Sequence, residues 1–161
     1  NARYCLFLEL TNPIQPNISE EDKKSDDKFI KKKIKEIKSN HLKRIRIQIA
    51  LNQDLFELTT FLLPKLKETY LTEQPDAVIV QGDTTSSYLS ALAAFYLKIP
   101  IYHVEAGLRS HDLMNPFPEE MNRKLTDGIA DLCFAPTEGA AANLANEGID
   151  SARVLVRSDQ P

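Results

Sequence analysis

A chain of 161 residues, 42% apolar and 27% charged, is long enough for one compact domain or for part of a larger protein. Its apolar runs fall far short of the ~20 residues a membrane span needs, which excludes a helical membrane protein and leaves no membrane partner. The net charge of −3 divides unevenly, +2 over residues 1–80 and −5 over 81–161, and an acidic half that holds the motifs argues against nucleic acid as a partner.

The opening NARYCLFLEL is a short apolar patch interrupted by Glu9 with no small-residue cleavage site behind it, so no secretory signal is expected and a cytoplasmic location is. Cys5 and Cys133 lack metal-ligand spacing and read as reduced, buried small hydrophobes, with no metal or redox cofactor implied. Residues 20–46, EEDKKSDDKFIKKKIKEIKSNHLKRIR, are Lys-dominated and low in complexity. An intermittent Ile stripe (30, 34, 37) and the lack of interleaved aromatics predict a solvated helix or arm.

From Leu51 the spacing tightens. Leu51, Leu55, Leu58, Leu62 and Leu66 recur at helical intervals, predicting an amphipathic helix that ends before Pro75 and is kinked or broken at Pro64. AVIV (77–80), IPIYHV (99–104), LCFA (132–135) and RVLV (153–156) read as strands apolar on both faces. Helices are expected between them, after QGDTT, over about 118–130, and over 136–148 with Gly148 as the stop. This alternation predicts an α/β, Rossmann-like doubly wound parallel sheet. In such sheets ligands bind beyond the carboxyl ends of the strands, so the residues after Val80, Val104 and Ala135 are the candidates.

Gln81-Gly82-Asp83-Thr84-Thr85 offers Asp83 as an acid/base or ligand-orienting carboxylate, with helix capping by Asp83 or Thr84 the plainer alternative. His103-Val104-Glu105-Ala106-Gly107-Leu108-Arg109 places Glu105 at a strand end where capping does not explain it. A Glu105–Arg109 ion pair is the bland alternative, and His103 is expected as a supporting group. In PFPEEMNR, Pro118 opens a helix, and one of Glu119 and Glu120 is expected to serve only the helix start. Asp83, Glu105 and Glu119 would meet at one edge of the sheet, the equipment of general acid–base chemistry on a polar substrate.

The strings QGDTT, HVEAGLR, PFPEEMNR and FAPTE, in this order and spacing, closely resemble the non-hydrolysing UDP-N-acetylglucosamine 2-epimerases over about residues 50–150. The resemblance implies most of the N-terminal domain of a two-domain, glycosyltransferase-B-type fold that interconverts UDP-GlcNAc and UDP-ManNAc. Family enzymes do so by removing the C2 proton and eliminating UDP, then re-adding it to 2-acetamidoglucal with the opposite configuration. By motif match the catalytic acids fall on Asp83, Glu105 and Glu119, with His103, Arg109 and Arg123 also at the substrate, and no cofactor. The carboxylate that takes the C2 proton is left open. The family's GTRPE-type loop has no counterpart in NARYCLFLELTNPIQPN, and RSDQP stands where a GNT-type segment would lead into a second domain. Residues 1–49 are accordingly expected as a divergent Lys-rich segment, 50–157 as the Rossmann-like epimerase domain, and the C-terminal domain as absent. The chain is expected to be inactive alone, and to form a homodimer or pair with a full-length homologue. The alternatives are an inactive sugar-nucleotide-binding or homologue-pairing remnant and, more remotely, a glycosyltransferase-like domain.

Overall fold

A computed structural model describes residues 4–11, 41–48 and 53–156. Six parallel strands form one sheet: β1 (Tyr4–Thr11), β2 (His41–Gln48), β3 (Ala77–Gln81), β4 (Ile101–Val104), β5 (Leu132–Ala135) and β6 (Val154–Val156). The helices are α1 (Leu55–Glu73), α2 (Thr85–Tyr96), α3 (Glu119–Ile129) and α4 (Glu138–Asn146), with a 3-10 turn at Ser151–Arg153. The strand order is β2-β1-β3-β4-β5-β6. The direction of winding therefore reverses between β1 and β3, the switch point of a doubly wound sheet.

Alternation along β3 sorts the core into two faces. Val78 and Val80 join the cluster built with Leu62 and Leu66 of α1, Leu89 and Ala91 of α2, and Leu144 of α4. Ala77 and Ile79 join Cys5, Val104 and Phe134 on the other face. A strand buried on both sides cannot alternate polar with apolar, which is why AVIV and LCFA read as continuous apolar runs. Burying one Leu such as Leu62 or Leu66 contributes about 1.5–3 kcal/mol. Between α1 and α2, the buried Tyr70 hydroxyl donates to the Ser90 carbonyl at 3.1 Å.

Several expectations are corrected. Pro64 neither breaks nor splits its helix, because α1 runs from Leu55 to Glu73 through it. Pro64 is exposed, so the carbonyl it leaves unpaired faces water, while Leu62, Leu66 and Tyr70 hold the buried side. The end of the Lys-rich stretch is neither helix nor arm. Residues His41–Gln48 form β2, paired along its whole length with β1, from Tyr4 opposite His41 to Thr11 opposite Gln48. The proposed Ile30, Ile34 and Ile37 stripe and Leu51 lie outside the described residues. Ile99 and Pro100 precede β4 rather than join it, Arg153 closes the 3-10 turn, and α3 and α4 are each shorter than expected. Among the described residues no helix is long and apolar enough to cross a membrane.

Candidate active site

The turn after β3 is the hub. Gly82 has φ +72, a left-handed conformation suited to a residue without Cβ, and its N–H donates to the Val104 carbonyl at 3.1 Å. Thr84 caps α2, its hydroxyl accepting from the Ser87 N–H at 3.2 Å. That resolves the choice between Asp83 and Thr84, and it frees the Asp83 carboxylate to face α3. There Arg123 Nε lies 3.2 Å from Asp83 Oδ2, an ion pair off the line of a hydrogen bond. Asn122 Nδ2 donates to the Asp83 carbonyl at 2.9 Å and to Thr85 Oγ1 at 3.2 Å.

Glu105 follows β4 with φ +67. Left-handed backbone costs a non-glycine residue about 1–2 kcal/mol, and such outliers gather at functional sites. The Glu105 carboxylate accepts from Gln81 Nε2 at 3.2 Å, and its Oε2 would be 3.5 Å from a Cβ built on Gly82. Glu105 thus packs against the turn that carries Asp83. No Glu105–Arg109 pair forms. The Arg109 guanidinium instead reaches Asp127 at 2.8 Å and grips Glu147 through two bonds of 2.9 and 2.6 Å. Burial alone would lower the Arg109 pKa, but its bonds to Glu147 and Asp127 more than offset this and raise it. The same contact pulls the Glu147 carboxyl down to about 2 against a smaller effect of burial, helped by Lys124 at 3.0 Å.

The two glutamates of PFPEE differ in surroundings. Glu120 is fully buried, accepts from the His111 N–H at 3.1 Å and lies 3.6 Å from Arg123. Glu119 is half-buried, and its carboxylate has no hydrogen bond or ion pair among the described residues. It precedes Asn122 and Arg123 by three and four positions, so it shares the helix face turned to Asp83. Glu120 Oε2, Asn122 Oδ1 and Arg123 Nε are all buried without a hydrogen bond on this same short stretch.

His103 is fully buried on the Ile101 side of the sheet, with Nε2 2.9 Å from the Gly82 carbonyl and Nδ1 2.6 Å from Asp127 Oδ1. It braces the turn from beneath, as a supporting group would. The turn after β3 therefore carries Asp83 and receives Glu105 at the carboxyl edge of the sheet, and Glu119 stands on the α3 face that meets Asp83, while Arg109 is committed to Asp127 and Glu147. Gln81, Asn122, Asp127 and Glu147 were not singled out from the sequence, and Glu120 was weighed only for the helix start.

The family model described as UDP-N-acetylglucosamine 2-epimerase matches residues 25–157. The UDP-N-acetylglucosamine 2-epimerase of Neisseria meningitidis serogroup A is 48% identical over 105 residues, covering 65% of this chain and 28% of that protein. The Escherichia coli K12 enzyme of that name is 46% identical over 104 residues, with the same two shares. A crystal structure of a UDP-N-acetylglucosamine 2-epimerase from Listeria monocytogenes superposes with a TM-score of 0.78 at 30% identity, over 96% of this chain and 44% of its own. The Neisseria meningitidis enzyme bound to UDP-GlcNAc gives 0.75 at 32%, over 95% and 45%. The chain spans a little over a quarter of the length of the curated relatives it matches. With a six-stranded parallel sheet, a charged turn at its switch point and a match that reaches back to residue 25, the chain belongs to the UDP-N-acetylglucosamine 2-epimerase family.

Proposed function

We propose that this chain supplies the acid–base half of a UDP-GlcNAc/UDP-ManNAc 2-epimerase, with Asp83, Glu105 and Glu119 as its working carboxylates. The observation that supports the reading is the packing of Glu105 on the turn that carries Asp83, with α3, which begins at Glu119, docked on that turn through Asn122 and Arg123. Asp83 is met by Arg123, Glu105 packs on Gly82, and Glu119 is left unpartnered on the helix face that meets Asp83. In the forward direction a carboxylate takes the C2 proton as the C1–O bond to UDP breaks and the C1=C2 double bond forms. A proton returned to the opposite face of C2 as UDP re-adds at C1 gives the epimer. Two carboxyl groups on opposite sides of the ring suffice for this, and the third can hold substrate. Arg123 beside Asp83 suits a hydroxyl- and amide-bearing sugar. His103 and Arg109, proposed from the family resemblance as substrate groups, act here through the turns they hold.

UDP-GlcNAc incubated in D2O with the chain, supplemented in trans with the remaining portion of a homologous epimerase, is expected to gain deuterium at C2 by NMR. Asp83→Asn, Glu105→Gln and Glu119→Gln are each expected to slow that exchange by about 10²–10⁴-fold. No exchange in the supplemented mixture overturns the reading in favour of a non-catalytic sugar-nucleotide-binding domain.

A further inference from the structure

A fully buried charged group outside the three proposed acids touches one turn of the site directly and the other through His103. Asp127 lies in the last part of α3, the helix whose first residue is Glu119. Its Oδ1 faces His103 Nδ1 at 2.6 Å, and His103 passes the contact to the Gly82 carbonyl at 2.9 Å. Its Oδ2 accepts from the Gly107 N–H at 3.1 Å and from Arg109 at 2.8 Å. One carboxylate therefore grips the residue before Asp83 through an imidazole, and the residue two beyond Glu105 directly. Gly107 has no room to move. It sits at φ +82, where an added Cβ would come 2.3 Å from the Ala140 carbonyl oxygen.

We propose that Asp127 is a positioning residue that sets Asp83 and Glu105 relative to each other and to Glu119, with His103 as its strut. The proposal rests on the reading of those three groups as the working acids. Proton accounting gives it a signature. A carbonyl oxygen only accepts, so His103 Nε2 carries a proton. Nδ1 faces a carboxylate oxygen at a short distance, so a second proton lies in that bond. The other charged and polar groups around the pair are Arg109, Glu147 beyond it, Lys124 on Glu147, and the Cys133 thiol 3.9 Å from the Asp127 carbonyl. None of them lies between the ring and Asp127 Oδ1. Asparagine at 127 would turn an amide donor toward Nδ1 and remove the shared proton.

The test is proton and nitrogen NMR on the 161-residue chain labelled at its three histidines, His41, His103 and His111. One ring is expected to show an exchange-protected, strongly downfield Nδ1 proton together with a protonated Nε2, and His103→Gln assigns it by removing both signals. In Asp127→Asn the downfield proton is expected to vanish, with backbone amide shifts concentrated at residues 81–84 and 105–109 and β6 unmoved. A wild-type chain without that proton overturns the proposal, and this arm needs no variant to fold. Amide changes confined to α3, with both turns unmoved, overturn it equally. C2 deuterium exchange on the same supplemented sample keeps the two ideas apart. The proton without exchange retains the strut and discards the acid–base role, whereas exchange without the proton discards the strut alone.

Discussion

Glu105 combines a strained backbone with a reactive type of side chain, and these can be separated by substitution. Glu105→Gln and Glu105→Gly both remove the carboxylate, but only glycine relieves the left-handed φ of +67. Glu105→Gly is therefore expected to be about 1 kcal/mol more stable than Glu105→Gln by urea denaturation, with C2 exchange lost in both. Equal stabilities would mean that the conformation carries no strain. At Glu147 the prediction concerns acid. Its carboxyl is held at about 2 in the folded chain, chiefly by hydrogen bonding to Arg109, and ionises near its ordinary value when unfolded. A depressed folded value adds stability that is complete above the unfolded value and is lost as pH falls through the folded one. Stability should thus decline between about pH 4.5 and 2, and Glu147→Gln should flatten that part of the profile. A wild-type profile identical to that of the variant would remove the Arg109–Glu147 contact from the account. The acids at strand ends were legible in the sequence because capping and burial explain Glu105 badly. Asp127 and Asn122 were not, because a polar residue inside a helix reads as solvent-facing until the partner strand is in place.

At the scale of elements, Pro64 shows how far packing overrides propensity. Proline inside a helix costs about 3 kcal/mol relative to alanine, yet α1 persists across it on the strength of Leu62, Leu66 and Tyr70. The N-terminus is also well secured by a capping box, with Asp54 accepting from the Glu57 N–H at 2.8 Å and Glu57 answering at 3.2 Å. Pro64→Ala restores a helical N–H and is expected to raise stability by about 1–3 kcal/mol in urea titration. No gain would show that the proline bends the helix into a fit that alanine loses. Strands β3 and β5 were legible because a strand buried on both faces writes an unbroken apolar run. Strand β2 was hidden because a Lys-rich composition masked a short alternation in which Ile45 and Ile47 are spaced by Arg44, Arg46 and Gln48. That two-residue period was the available signal.

For the molecule as a whole, the sheet order carries the most weight. β1 is the first strand in the chain but an interior one in the sheet, flanked by β2 and β3, both of which come later. From β3 onward each strand pairs with the next in sequence, so residues 53–156 contain a consecutive four-stranded unit together with the four described helices. Composition made the first fifty residues look foreign to this unit, yet they supply the strand that pairs with β3 at Cys5–Ala77, Leu6–Val78 and Phe7–Ile79. A chain beginning at residue 53 would leave Ala77–Gln81, the apolar AVIVQ, as an open sheet edge, the kind of edge that recruits other chains. Such a chain is expected to self-associate into soluble aggregates in light scattering after gel filtration, whereas a stable monomer would show that β1 is dispensable. Part of what the N-terminal fifty residues contribute is therefore colloidal, keeping β3 from templating its own kind.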